Sequence, residues 1–303
     1  MHAATPNHAF RFGVVTAQAG SGDEWVARAR RAEALGFSTL LIPDTVGATL
    51  SPMPALATAA AVTTRLRVGT YVLANDFRSP VLAAREAATV DLLSGGRMEL
   101  GVGAGRPTAA EDYRRLGIPF EPGGVRVGRL AEALAVIKAL LSGHHADAAG
   151  DHYSIAGAEI HPAPVQRPRP PILVAASGPR LTALAGREAD IVAIGARPDA
   201  GEDAVLERVG WLRDAAGDRF PELELNINLL GAGGQANPQM TGRFGIDVAE
   251  LARRGSPFVV TGTVDEMCDQ LQARRERLAV SYVCAPDHLM ETLAPVVERL
   301  SGR

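Results

Sequence analysis

The turn Ala176-Ser177-Gly178-Pro179-Arg180 joins a short apolar run to a helical one. Its glycine lets a ligand approach the backbone, and proline suits the first helical position, where no helix bond needs an N–H. The free N–H groups beyond the proline and the positive end of the helix dipole attract anions. Ser177 and Arg180 would add a hydroxyl and a cation. We therefore predict an anion site here, with an ordinary strand-to-helix turn as the alternative.

Two polar positions follow other apolar runs. Asp44 comes directly after Thr39 to Ile42, and Asn75 stands in the polar turn after Leu66 to Leu73. A carboxylate at such a point could accept a proton or hold a ring nitrogen, or it could cap the next helix. Asn75, followed by an aspartate, can also form a plain turn. We take Asp44 and Asn75 as the candidate catalytic residues.

A glycine-rich end follows the run Met98 to Val102. Gly103 and Gly105 would let a flat ring lie against the backbone, although simple turn chemistry explains them as well. Arg106 comes next, and its guanidinium has the bidentate geometry that suits a phosphate. A solvated surface arginine is the alternative.

These positions need elements to hold them, and the chain alternates apolar runs with helical patterns throughout. The runs are apolar on consecutive positions, as in parallel strands covered on both faces. Eight predicted strands are Phe12–Val15, Thr39–Ile42, Leu66–Leu73, Met98–Val102, Ile172–Ala175, Ile191–Ile194, Glu224–Leu230 and Ser281–Cys284. This order predicts a single (β/α)8 TIM barrel over residues 1–303, whose strand ends carry the site. A doubly wound sheet is disfavoured because no Rossmann-type glycine fingerprint follows the first strand.

Three stretches fall outside this alternation. We predict a loop from Arg106 to Gly124, a surface excursion over the barrel mouth at about 142–171, and a second insertion at about 231–257. The excursion is rich in proline and predicts a hairpin around Tyr153 to Ile160. Its His and Asp residues match no zinc spacing, so we predict no metal.

The composition excludes several classes of protein. The chain of 303 residues has a formal net charge of −3, which gives no basic footprint for nucleic acid. No run is long and apolar enough to predict a membrane span. Cys268 and Cys284 form no CxxC pair, and the start of the chain has no signal-peptide pattern, so we expect a cytoplasmic protein.

Three segments carry a resemblance to a known family: VGTYVLANDFRSP, AREAATVDLLSGGRMELGVGAG and ILVAASGPRLTALAGREAD. They resemble the luciferase-like monooxygenase superfamily, and within it the deazaflavin (coenzyme F420)-dependent oxidoreductases, over nearly the whole chain. The resemblance implies a barrel that moves a hydride between coenzyme F420 and a small organic substrate. It also implies a homodimer or a larger homo-oligomer.

The resemblance assigns roles to the candidate residues. The Ser177 turn would hold the cofactor phosphate, and a bulge at Ala74 and Asn75, after Leu73, would support the ring from behind. In relatives this bulge often contains a cis peptide between non-proline residues. Asp44 would lie near the reacting edge.

The chain departs from its relatives after Asp44. Many of them have His next, the proposed acid or base in alcohol oxidation, whereas this chain has Thr45. The departure disfavours dehydrogenation of secondary alcohols and sugar phosphates, and it favours hydride delivery to a C=C or C=N bond, or oxygen chemistry. An FMN-dependent monooxygenase and a non-catalytic flavin- or deazaflavin-binding barrel remain as alternatives.

Overall fold

The computed structural model describes residues 8–236 and 247–303. The described chain divides into two compact units. The first comprises the described parts of Met1–Thr16, Arg31–Leu40 and Ala176–Arg303, and the second comprises Ala17–Arg30 and Leu41–Ala175.

Helices and strands alternate along most of the described chain. The strands are β1 (Arg11–Val15), β2 (Thr39–Ile42), β3 (Arg67–Thr70), β4 (Leu73–Ala74), β5 (Met98–Gly103), β6 (Ala146–Ala149), β7 (Ser154–Ala158), β8 (Ile172–Ala176), β9 (Ile191–Ile194), β10 (Glu224–Asn228), β11 (Gly231–Ala232), β12 (Gln235–Ala236), β13 (Val259–Val260) and β14 (Val280–Pro286). The helices are α1 (Gly22–Ala34), α2 (Pro52–Ala61), α3 (Pro80–Ser94), α4 (Ala110–Leu116), α5 (Gly123–Leu141), α6 (Pro179–Glu188), α7 (Glu202–Ala216), α8 (Val248–Arg253), α9 (Val264–Leu278) and α10 (Met290–Leu300).

The first unit is built on parallel strands in the order β1, β14, β10, β9. Its central strand β14 pairs Tyr282 with Arg11 and is buried along nearly its whole length, as expected for a strand with both faces covered. A smaller sheet pairs β11 with β12 in antiparallel and with β13 in parallel orientation.

The second unit is built around β5, in which every residue is buried. β5 pairs in parallel with β3, β4 and β8, and its last residue, Gly103, lies opposite Ala74. The candidate residues at the ends of β4 and β5 are therefore neighbours.

Residues at the two ends of α3, the helix between β4 and β5, determine where it begins and ends. α3 begins at Pro80, after Ser79 accepts a hydrogen bond from the backbone N–H of Val81, and it ends at Gly95, which has a left-handed φ of 67°. Serine at the N-cap and glycine after the last turn are the residues that satisfy helix ends.

The prediction of one continuous strand from Leu66 to Leu73 is wrong. β3 ends at Thr70 and β4 begins at Leu73, and the cis peptide bond of this segment joins Tyr71 to Val72. The resemblance placed that feature at Ala74 and Asn75, so it is corrected by three residues. Val72 packs against the β5 backbone, where Gly101 and Gly103 have no side chains. This packing separates β3 from β4.

Two other predictions need correction. The predicted loop Arg106 to Gly124 contains α4, which ends at Gly117 with a left-handed φ of 68°. The predicted hairpin at Tyr153 to Ile160 is instead formed by β6 and β7, paired in antiparallel orientation. Part of the predicted insertion at 231–257 lies outside the described residues. No helix in the described ranges is long and apolar enough to cross a membrane.

Candidate active site

Asp44 lies after β2, and its carboxylate faces the start of the neighbouring turn. Its Oδ2 atom accepts hydrogen bonds from the backbone N–H of Ala74 at 3.2 Å and from Nη1 of Arg78 at 2.8 Å. The Asp44 side chain is only 8% exposed. The structure thus brings Asp44 to the end of β4, where its charge is balanced by a guanidinium.

Asn75 is buried directly after β4 and begins a polar network. Its Nδ2 atom lies 3.1 Å from Oη of Tyr153 and 3.3 Å from Oδ1 of Asp76. The other oxygen of Asp76 accepts hydrogen bonds from Tyr113 at 3.1 Å and from Arg129 at 2.8 Å. We call Asn75, Asp76, Tyr113, Arg129 and Tyr153 the Asp76 network. The network supplies hydrogen-bond donors to the Asp76 carboxylate, which is only 4% exposed. A buried charge requires such partners.

Tyr113 on α4 is the fully buried phenol of this network. Burial and the neighbouring Asp76 raise the pKa of Tyr113 to about 12. Its ring makes edge contacts with Phe77 and Phe120, at centroid distances of 5.1 and 4.8 Å. Tyr113 therefore stays protonated and donates to Asp76 over the whole physiological pH range.

Tyr153 reaches the network from the loop between β6 and β7. The carboxylate of Glu132 on α5 holds that loop, because it accepts from the backbone N–H groups of Asp151, His152 and Tyr153, each at 3.0 Å. Desolvation alone would raise the pKa of Glu132, but these three donors outweigh it and lower the pKa. Glu132 thereby fixes the backbone that carries the Tyr153 phenol.

Gly103 and Gly105 lie at the end of β5, as predicted, but protein atoms fill the space beside them. A Cβ at Gly103 would come 2.7 Å from Cγ2 of Val72, and one at Gly105 would come 2.6 Å from Oη of Tyr113. Gly105 also has a φ of 76°, which disfavours other residues. Packing and backbone conformation thus account for both glycines.

Arg126 on α5 fixes the backbone that follows β5. Its Nη1 atom donates to the carbonyl oxygens of Ala104 and Gly105, at 2.5 and 2.6 Å, and only 7% of the residue is exposed. Arg106 behaves differently, because its side chain is 57% exposed and lies 3.4 Å from Thr45 Oγ1 and 3.7 Å from Asp112. Arg106 is the more available cation of the two.

The Ser177 turn lies in the first unit, at the junction of β8 and α6. The carbonyl of Ala176 accepts from Gly195 N at 2.7 Å, and that of Ser177 accepts from Arg208 Nε at 3.0 Å. Within the described part of the chain, no side chain caps α6, and a Cβ at Gly178 would meet no atom within 4 Å. Pro179 and Arg180 are exposed. Two hydrogen bonds to its carbonyl oxygens hold the turn in place, whereas the first residues of α6 are exposed.

The sequence interpretation missed six members of these arrangements: Arg78, Tyr113, Arg126, Arg129, Glu132 and Tyr153. Helical spacing places Arg126 and Arg129 on α5, but it does not tell which carbonyl or carboxylate they reach. Tyr113 lies in a stretch interpreted as a loop. The acidic start of α4 at Glu111 and its glycine end at Gly117 were signals that could have found it.

Comparison with known proteins places the chain in a family. The profile of luciferase-like monooxygenases matches residues 7–230. The chain is 38% identical over 169 residues to an F420-dependent glucose-6-phosphate dehydrogenase of Beutenbergia cavernae, a match that covers 52% of this chain and 48% of that enzyme. It is 30% identical over 220 residues to an uncharacterized protein of Mycobacterium tuberculosis, covering 65% of this chain and 74% of the relative. The match thus spans about half the length of the dehydrogenase.

A solved structure shows the fold. The coenzyme F420-dependent tetrahydromethanopterin reductase of Methanopyrus kandleri superimposes with a TM-score of 0.78 at 19% identity, over 97% of this chain and 100% of that one. The predicted fold class, a (β/α)8 barrel of the luciferase-like type, is confirmed. With the profile matching 224 of its 303 residues, this chain belongs to the luciferase-like monooxygenase family.

Proposed function

We propose that this protein is an oxidoreductase that uses coenzyme F420 and a small organic substrate. Family membership and the F420-dependent dehydrogenase among its relatives support the deazaflavin as the cofactor. When bound, the reduced deazaflavin supplies a hydride, and the protein's part is to orient the partners and exclude water.

The observation that carries this proposal is the open start of α6. The helix has Gly178 before it and Pro179 first, and it lacks a side-chain cap, so its leading N–H groups are available to an anion. The empty space beside Gly178 admits a ligand up to the backbone. Ser177 and Arg180 complete a donor set that fits a phosphate. We assign the cofactor phosphate to this turn.

The end of β4 supports a ring site in the second unit. Leu73 and Ala74 offer buried apolar side chains, and Asn75 adds an amide beside them. A flat heteroaromatic ring with polar edges suits a strand end that combines apolar and polar groups. We assign ring support to Leu73, Ala74 and Asn75, and the tail or phosphate contact near β5 to Arg106.

Thr45 bears on the direction of the reaction. Its hydroxyl lies 3.4 Å from Arg106, and its backbone carbonyl accepts from Thr49, so it belongs to a turn. A threonine hydroxyl does not titrate near neutrality and makes a poor base for alcohol oxidation. We therefore propose hydride delivery to a C=C or C=N bond, with Asp44 positioning the end of β4.

The test is a titration of the purified protein with oxidised deazaflavin and, separately, with FMN, followed by ring fluorescence. We expect micromolar binding of the deazaflavin, and a loss of about tenfold or more in Arg180→Ala because a charge-assisted contact is removed. Arg187→Ala is the matched control, since Arg187 is also exposed on α6 but lies in its last turn.

Three other outcomes would change the assignment. Binding of FMN alone would favour the monooxygenase alternative, and binding of neither would contradict the proposal. Equal losses in Arg180→Ala and Arg187→Ala would remove the phosphate from this turn. We further propose a cytoplasmic homodimer or larger homo-oligomer, and a monomeric mass in light scattering would contradict that assembly.

A further inference from the structure

The direction of one hydrogen bond in the Asp76 network can be deduced. Asn75 Nδ2 lies 3.3 Å from Oδ1 of Asp76 and 3.1 Å from Oη of Tyr153. An ionised carboxylate only accepts hydrogen bonds, so the amide must turn its NH₂ group toward Asp76. The opposite orientation would set the amide oxygen against the carboxylate. The two hydrogens of Nδ2 then go to Asp76 and Tyr153, and the Tyr153 oxygen is an acceptor.

The two phenols of the network therefore differ. Tyr113 gives its proton to Oδ2 of Asp76, at 3.1 Å. The Tyr153 phenol receives a hydrogen from Asn75, and among the described residues no hydrogen bond uses its own proton. A hydroxyl both donates and accepts, so Tyr153 retains one donor for another molecule.

This donor is held in place and stays protonated. Glu132 fixes the backbone of Tyr153 through its three N–H contacts. Burial raises the pKa of the Tyr153 phenol, against the opposing hydrogen bond from Asn75. The Tyr153 residue is only partly buried.

We propose that Tyr153 is the substrate-recognising donor of this site, and that it binds an uncharged oxygen or nitrogen acceptor such as an imine nitrogen or the carbonyl of an enone. The inference rests on the proposed function and narrows its substrate class. Asn75 is the positioning residue, because its NH₂ group occupies the acceptor side of the phenol and leaves the proton free.

The Tyr153 phenol also supplies the proton that the proposed reaction needs. A bound reduced deazaflavin would supply a hydride to the carbon of a C=N bond, and the π electron pair would move to nitrogen. The Tyr153 proton completes the N–H bond, and solvent reprotonates the phenolate. In an enone, hydride adds to the β-carbon and the proton goes to the enolate. A C=C bond without a conjugated acceptor gives the phenol no partner and falls outside this class.

The experiment follows the chain's four tyrosines by NMR. The full-length protein is labelled with ¹³Cζ-tyrosine, assigned through Tyr153→Phe and Tyr113→Phe, and titrated with cyclohex-2-enone, with and without oxidised deazaflavin. We expect the Tyr153 signal to move and the signal of Tyr282, which is fully buried in the first unit, to stay. Tyr153→Phe should weaken the binding of cyclohex-2-enone about tenfold, as for one lost hydrogen bond.

Two results would overturn the inference. The first is a Tyr153 signal that stays fixed in both titrations. The second is an undiminished shift in Asn75→Asp, since a carboxylate at position 75 should capture the phenol proton. Thermal unfolding checks that this variant folds. Deazaflavin binding in the same samples is read by ring fluorescence, so a failure of this inference is distinguishable from a failure of the proposed function.

Discussion

The carboxylate of Asp44 lies 2.8 Å from the guanidinium of Arg78 and also accepts the backbone N–H of Ala74. Both side chains of the ion pair are largely buried, at 8% and 20% exposure. A carboxylate held in this way fixes the end of β4. Its contribution to stability should therefore be measurable apart from activity.

Asp44→Ala should lower the free energy of unfolding by about 2 kcal/mol or more, because it leaves a buried guanidinium and an amide without their acceptor. Urea unfolding monitored by circular dichroism measures this. Asp199→Ala is the control, since Asp199 pairs with Arg197 at the surface and such pairs contribute about 0–1 kcal/mol. Equal losses in the two variants would contradict a structural role for Asp44.

Gly103→Ala should destabilise the protein by about 1–3 kcal/mol, because its Cβ would come 2.7 Å from Val72. The double variant Gly103→Ala/Val72→Ala should recover about 1 kcal/mol relative to the sum of the single losses. Gly178→Ala is the control, because its Cβ meets open space and its φ of −98° suits alanine. Strict additivity in the cycle would show that Val72 does not set the requirement for glycine.

Because the pKa of Tyr113 is raised, the free energy of unfolding should depend on pH in the alkaline range. The phenol has a pKa of about 12 in the folded protein and about 10 in an unfolded chain. Above a pH of about 10 the unfolded chain loses the Tyr113 proton, whereas the folded protein keeps it. The stabilisation that Tyr113 contributes at lower pH therefore declines as the pH approaches 12. Urea unfolding across this window should show a steeper decline for the wild type than for Tyr113→Phe. Parallel declines would contradict the assignment.

Glu132→Gln should loosen the loop that carries Tyr153, because a neutral amide oxygen is a weaker acceptor for three N–H groups. Hydrogen exchange should become faster at Asp151, His152 and Tyr153, as measured by mass spectrometry of peptides spanning them. Glu159→Gln is the control, since Glu159 is exposed and pairs with His145 at the surface. Unchanged exchange in Glu132→Gln would show that the loop is held by other contacts.

Much of the fold could be predicted because its strands are buried on both faces. Thr39–Ile42 and Ile191–Ile194 were predicted with the bounds that the structure gives them. Such runs are apolar throughout and bounded by turn residues, so local composition suffices to locate them. Gly178 and Pro179 at the start of α6 were equally informative.

The site could be predicted only in part, because its partners are distant in sequence. Asn75 and Tyr153 are 78 positions apart, and no spacing rule connects an amide with a phenol at that separation. The break between β3 and β4 depends on Val72 packing against Gly101 and Gly103, which is a tertiary contact. Polar residues at strand ends could therefore be selected as site candidates from the sequence, whereas their partners required the structure.

The way in which Glu132 holds its loop has a consequence for protein engineering. The carboxylate accepts hydrogen bonds from main-chain N–H groups, which every residue except proline possesses. Positions 151 and 152 can therefore be randomised, with proline left out, while the path of the loop is kept. A library at these two positions would vary the surroundings of the Tyr153 phenol while the backbone that carries it keeps its path.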